Sequence, residues 1–255
     1  MKPVNQTRYR SIKGFNGRVR FLIMHYTATN FSASVNALTG PSVSAHYLVP
    51  NITDTSYRQA GFDEQEIFNL VDEQDRAWHA GVSHWSGRTQ LNDTSIGIEL
   101  VNQASSNNGV FHFPPYDPRQ IEALKALALT ILQRHPDITP VNVLGHSDVA
   151  IGRKSDPGPS FPWYELYQAG VGAWFDTNTH DAYLAEYTRT GLPGRDTMLS
   201  KFKKYGYDIT NATTDQGFKM LVRAFQLHFR PQKYDGVLDL ETAASLAALV
   251  RKYFP

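Results

Sequence analysis

The segment DPRQIEALKALALTILQRHP, set between short β-type runs at 96–101 and 141–144, constrains the fold more than any other stretch of the chain. Asp117 can cap a helix, Pro118 suits its first position, and Ile121, Leu124, Ala128, Ile131 and Leu132 recur at helical spacing until Pro136 ends it. An amphipathic helix bracketed by strands packs its apolar stripe on a sheet. Further runs at 19–24, 46–49 and 66–71 have the length and the β-branched or aromatic content of strands. The expected fold class is α/β, a mixed central β-sheet flanked by helices.

After about Trp174 the chain turns polar and gathers Gly191, Pro193 and Gly194, which predicts a linker over 177–196. The tail then reads as a small three-helix domain. A helix over 198–205 stops at Gly206, and an apolar stripe of Phe218, Leu221, Val222, Phe225 and Phe229 follows. A third helix begins near Asp239, beyond the Asp235-Gly236 turn. The division expected is a catalytic domain at 1–176, a linker at 177–196 and a helical domain at 197–255.

Composition narrows the function classes. With 41% hydrophobic and 19% charged residues among 255, the chain has enough apolar material for a core. A formal net charge of +1 argues against the clustered basic stripe that nucleic acid demands, so no nucleic-acid partner is expected. There is no cysteine, so thiol nucleophiles and thiolate metal sites are excluded, and any metal must be held by His and carboxylates. No apolar run is long enough for a membrane span, and the first twenty residues contain no apolar core of a classical signal peptide.

Three polar residues fall where strands or their continuations end: His25 after RFLIM, Glu99 inside SIGIEL and His146 after VNVLG. In Ile96-Gly97-Ile98-Glu99-Leu100, alternation turns the aliphatic side chains to one face and Glu99 to the other, beside a glycine that leaves room above the backbone. The loop GHSDVAIGRKSDPGP gathers His146, Asp148, Lys154 and Asp156. Singly, each has an ordinary structural explanation, since loop His and Asp residues are mostly solvated or hydrogen-bonded and RKSD is a common surface composition. A His, His, Asp set with one open position is nevertheless chemically sound for catalytic zinc.

Together, FLIMHYTA, VSAHYLV, AWHAGVS, NDTSIGIEL and GHSDVAIGRKSDPGP resemble the AmpD branch of the zinc N-acetylmuramoyl-L-alanine amidases, relatives of phage T7 lysozyme and the peptidoglycan recognition proteins. The resemblance implies that His25, His146 and Asp156 bind Zn2+, that Glu99 is the general base, and that Lys154 stabilises the developing oxyanion. It also implies that Tyr47, Trp78 and His79 line the substrate cleft. In the tail, Phe225-Gln226, Asp235-Gly236 and Thr242 before an apolar helix resemble peptidoglycan-binding domain 1.

The implied activity is hydrolysis of the amide between N-acetylmuramic acid, or its 1,6-anhydro form, and L-alanine, with the peptidoglycan sacculus and muropeptides as partners. Alternatives are a cytoplasmic recycling amidase confined to soluble anhydro-muropeptides, a non-catalytic peptidoglycan binder, and a glycosidase pairing Glu99 with Asp93 or Asp148. The location expected is the periplasm or cell envelope by a route without a classical signal peptide, with the cytoplasm as the alternative. The sequence leaves the oligomeric state open.

Overall fold

The computed structural model describes residues 17–255. In chain order its elements are β1 (Phe21–Tyr26), α1 (Phe31–Leu38), β2 (Tyr47–Val49), α2 (Thr55–Gln59), β3 (Phe68–Asn69), β4 (His84–Trp85), β5 (Arg88–Thr89), β6 (Ser95–Leu100), β7 (Ser105–Asn107) and β8 (Val110–His112). There follow α3 (Pro118–Arg134), β9 (Val143–Gly145), α4 (His146–Val149), α5 (Trp163–Gln168), α6 (Thr177–Thr190), α7 (Arg195–Tyr205), α8 (Asp215–Phe229) and α9 (Leu240–Tyr253). Five strands form one sheet in the order β3-β2-β6-β1-β9. Strands β2, β6, β1 and β9 run parallel, and β3 adds an antiparallel edge. The sheet is mixed, as its sequence led one to expect.

Alternation along the strands divides the core into two faces. Leu22, Met24, Ile96, Ile98 and Leu100 meet Ile121, Leu124, Ala128 and Ile131 of α3. That helix starts where the sequence predicted, with the Asp117 carboxylate accepting from the Arg119 amide. On the opposite face, Phe21 and Ile23 join Trp85, Leu144 and Val149 in a cluster that continues into Phe202, Tyr205, Phe225, Phe229 and Leu246 of the C-terminal helices.

The tail differs from the expectation in two respects. Residues 177–190 of the expected linker form helix α6, which packs on α9, so the C-terminal unit has four helices rather than three. Tyr183, Leu184 and Tyr187 supply its apolar stripe, and only 191–194 remain as a turn. The unit is also not tethered at a distance, because its core is continuous with the site-bearing face of the sheet. Trp85 is fully buried, with its ring 4.7 Å from Tyr207 and 6.0 Å from Tyr205.

A buried polar junction reinforces this contact. The Asp148 carboxylate is fully buried and accepts from the Gly145 amide at 2.8 Å, the Tyr207 hydroxyl at 2.6 Å and His228 Nδ1 at 2.7 Å. A carboxylate inside a protein needs several such donors, and two of these come from the helical unit. The FQ, DG and T residues of the tail are likewise structural. Gln226 is buried, donates to Val237 O and Thr242 Oγ1, and accepts from the Gly236 amide. Gly236 has φ +77°, and a Cβ there would lie 2.5 Å from Lys219 O, so the turn requires glycine.

Candidate active site

Parallel pairing sets His25 of β1 directly opposite Glu99 of β6, while Met24 of β1 lies beside Gly145, the last residue of β9. The next residue, His146, opens α4 and turns its ring toward His25. Asp156 is drawn in by the loop after α4, where its carbonyl accepts from the Ser147 amide at 2.9 Å. Three strand ends and one loop thereby converge at the edge of the sheet where its parallel strands finish, the usual place for a site in such sheets.

The three side chains form a compact triangle. Asp156 Oδ2 lies 2.9 Å from Nδ1 of His25 and 2.9 Å from Nδ1 of His146, and the two nitrogens are 3.0 Å apart. All three residues are buried. His146 Nε2 sits 3.0 Å from Ala80 O, which only accepts, so this nitrogen carries the hydrogen. The His146 ring then turns Nδ1 toward a carboxylate oxygen and a second imidazole nitrogen. Such an electron-rich pocket calls for a cation, and the spacing suits three ligands with bonds of roughly 2.0–2.2 Å to one ion.

Electrostatics agree with ligand chemistry. Burial, reinforced by the charge of His146, pushes His25 down to about 4, so its ring is neutral at physiological pH. Burial alone would raise Asp156, but the charges and hydrogen bonds of His146 and His25 hold it far below the ordinary carboxylate range. Glu99 goes the other way, raised to about 8 by burial and then by repulsion from Asp156, with Lys154 partly offsetting both. The residue as a whole is half-buried, yet its Oε2 is fully buried without a hydrogen-bond partner.

The surrounding groups fix the orientation of the triangle. His25 Nε2 lies 2.9 Å from His79 Nδ1, and His79 Nε2 lies 3.1 Å from Ser95 Oγ, whose hydroxyl donates to Leu91 O at 2.6 Å. A neutral His79 can accept from His25 and donate to Ser95, which leaves His25 Nδ1 with its lone pair free for a metal. Gly97 makes this stacking possible, because a Cβ at that position would come within 2.4 Å of the His79 ring. Arg153 Nη2 donates to Ala80 O at 2.8 Å and Val82 O at 2.7 Å, bracing the loop on which His146 leans.

The triangle opens into a cleft of about 490 Å³. Lys154 is exposed on its rim, and Trp78, 62% exposed, forms part of its wall with the Arg76 guanidinium 4.3 Å above its ring. His79 also borders the cleft but is buried and bonded to His25, so its main service is to hold that ring. Tyr47 is not a cleft residue. In register it aligns with Ile98 and Met24, on the face covered by α3, and its hydroxyl donates to Glu73 at 2.7 Å.

Neither carboxylate of the glycosidase alternative meets Glu99. Asp148 is committed to Gly145, Tyr207 and His228, and Asp93 is exposed and paired with Arg76 at 2.5 Å. Phe111 on β8 and Met220 and Arg223 on α8 also line the cleft, and no motif singles them out.

Residues 15–159 match the N-acetylmuramoyl-L-alanine amidase family, Amidase_2. The chain belongs to this amidase family. Its His25, Glu99, His146, Lys154 and Asp156 all lie inside the matched span. Over 237 residues, the amidase is 45% identical to the N-acetylmuramoyl-L-alanine amidase AmiD of Escherichia coli, covering 92% of this chain and 84% of that protein. Among solved structures it is similar to AmpDh3 from Pseudomonas aeruginosa, at 57% identity and a TM-score of 0.95 over 99% of both chains. AmpDh3 has also been solved in complex with an anhydromuramic pentapeptide, at 58% identity to this chain and the same TM-score. The E. coli AmiD complex with anhydro-N-acetylmuramic acid-L-Ala-D-gamma-Glu-L-Lys aligns at 42% identity and a TM-score of 0.85, over 97% of this amidase and 94% of that chain. These likenesses extend through α6–α9, so the four-helix unit is part of the shared architecture.

Proposed function

We propose that this amidase uses a zinc ion held by His25, His146 and Asp156 to hydrolyse the amide between N-acetylmuramic acid, or its 1,6-anhydro form, and L-alanine of the peptide stem. The observation that carries the reading is the buried triangle of two imidazoles and one strongly acidic carboxyl, with the unpartnered Glu99 carboxyl beside it. Bound there, zinc supplies a Lewis acid that polarises the scissile carbonyl and acidifies water. With the triangle occupied, Glu99 would ionise more readily, as its role as a base requires.

Glu99 then takes a proton from the attacking water at its carboxylate and returns it to the departing alanine nitrogen. Lys154 presents its ammonium from the rim to the carbonyl oxygen as negative charge develops there. Trp78 gives the substrate an exposed aromatic face to pack on. His79 and Arg153 keep His25 and His146 in the required tautomers by holding the groups behind them.

The substrate range proposed is the wall polymer as well as soluble fragments, with the C-terminal helices adding contact to peptidoglycan and the work done at the cell envelope. The open cleft and the resemblance of the tail to peptidoglycan-binding domain 1 support this reading. Digestion of intact sacculi and of a defined anhydro-muropeptide, with products identified by mass, tests it. Free peptide stems from both substrates, abolished by a chelator, are expected. New reducing sugar ends, or release unaffected by the chelator, would refute it.

A further inference from the structure

We propose that Arg223, carried by α8 of the helical unit, is a specificity-determining residue of the catalytic cleft, recognising the free α-carboxylate of the γ-linked D-glutamate at the second position of the peptide stem. The proposal rests on the amidase reading above and assigns the C-terminal helices a place in the reaction site itself.

Arg223 lines the same cleft as the metal triangle, together with Met220 and Ala224 from the same helix. Its guanidinium is held in a frame rather than free in solvent. Nη1 donates to Ser155 Oγ at 3.2 Å, and the group lies 4.7 Å from the Phe111 ring centre and 5.7 Å from that of Tyr234. Ser155 immediately precedes the ligand Asp156. Among the described residues no carboxylate lies within ion-pair distance of Arg223, and its neighbours include the hydroxyl-bearing rings of Tyr234 and Tyr26. Burial accordingly pushes its pKa down.

A half-buried guanidinium without a carboxylate partner is costly to keep, and an anionic ligand offsets that cost. Arginine carries five N–H donors, of which one goes to Ser155, and its planar fork matches a carboxylate in two-point fashion. The other cations of the cleft are committed. Arg153 is spent on the carbonyls of Ala80 and Val82, and Lys154 is assigned to the scissile carbonyl. Arg223 is left for the peptide.

The stem supplies a matching group. A glutamate joined to its successor through the γ-carboxyl keeps its α-carboxylate free, and this charge lies one residue beyond the alanine whose nitrogen leaves. At about 3.3–3.6 Å per extended residue, it sits roughly 7 Å from the scissile nitrogen. The Arg223 guanidinium is anchored through Ser155, the neighbour of Asp156, in the same cleft as the triangle.

Hydrolysis of two anhydro-muropeptides that differ only in carrying a D-glutamate α-carboxylate or the α-carboxamide tests the assignment. Wild-type protein should favour the acid by about 10- to 100-fold in kcat/KM, the range of a hydrogen bond to a charged group. R223Q should lose that factor on the acid, chiefly through KM, while hydrolysing the amide within about twofold of wild type. R223K, which keeps the charge without the fork, should fall between them on the acid alone.

Equal loss on both substrates would mean that Arg223 only braces α8 against the amidase face, and would overturn the assignment, as would an unchanged preference. Should R223Q fail to fold, R223K decides by the same comparison. Absence of hydrolysis of either peptide by the wild-type protein would instead overturn the amidase reading, and the assignment with it.

Discussion

Replacing Glu99 by glutamine should make the metal-stripped protein more stable while removing its activity, and the size of the gain follows from the site. The Glu99 carboxyl is raised from 4.5 to about 8, first by burial and then by Asp156. Since the folded state holds the proton more tightly than the unfolded state, this group adds no penalty below pH 4.5. It becomes progressively destabilising as pH rises from 4.5 to about 8, and the penalty is constant above that. At about 1.4 kcal/mol per tenfold change in proton affinity, the full penalty is about 5 kcal/mol. Partial exposure of the residue to the cleft reduces it to about 2–4 kcal/mol.

E99Q keeps the shape and lacks the charge. In the presence of a chelator it should therefore melt roughly 5–10 °C above wild type at pH 8.5 and within a degree or two of it at pH 5. Calorimetric melts of both proteins across that range measure the difference directly, and titrations elsewhere in the molecule cancel. Loaded with metal, E99Q should retain the ion yet lose about 10²–10⁴ in kcat, the contribution of a positioned general base. A stability gap independent of pH, or an E99Q protein less stable than wild type at pH 8.5, would refute the electrostatic description of the site.

Other perturbations have equally definite outcomes. G97A places a methyl group where the His79 ring lies, so chelator competition should show metal affinity lowered about 10- to 100-fold, the usual effect of disturbing a residue behind a ligand; unchanged affinity would remove His79 from its positioning role. K154A should reduce kcat about 10²–10³-fold with the metal content intact, and loss of metal instead would show that Lys154 serves the triangle rather than the carbonyl. W85A hollows the contact between sheet and helices and should cost about 3–5 kcal/mol in urea unfolding, with tryptophan fluorescence and circular dichroism moving in one coincident transition; two separated transitions would contradict a shared core.

Much of the site could be read from single segments because its parts sit at strand ends with recognisable neighbours. The alternation of Ile96-Gly97-Ile98-Glu99 set the facing of Glu99, and the room left by Gly97 proved to be where His79 lies. Tyr47 misled because its placement depends on pairing rather than on its own segment. Alignment with Ile98 instead of Glu99 sends it to the opposite face, as a one-residue change of register must. In 177–196, Gly191, Pro193 and Gly194 dominate the composition and predict a linker, whereas the turn is short and the aromatic stripe before it needs α9 for a partner.

Long-range partnerships were out of reach for the same reason. Asp148 looked like one more acid in a catalytic loop, and its partners Tyr207 and His228 lie 59 and 80 residues away. Nor does anything in α8 as a sequence distinguish Arg223 from a solvated surface arginine. Only the docking of that helix beside the metal triangle does so, and that docking is the product of the shared core.

The central claim is that His25, His146 and Asp156 together hold the ion on which hydrolysis depends. Elemental analysis of purified wild-type, H146A and D156A proteins, with amide hydrolysis of one anhydro-muropeptide followed on the same samples, tests it most directly. The account predicts about one zinc per wild-type chain, and loss of both metal and hydrolysis in each variant while the fold persists. Variants that hydrolyse at the wild-type rate, or a wild-type protein that hydrolyses fully after its metal has been removed, would contradict it.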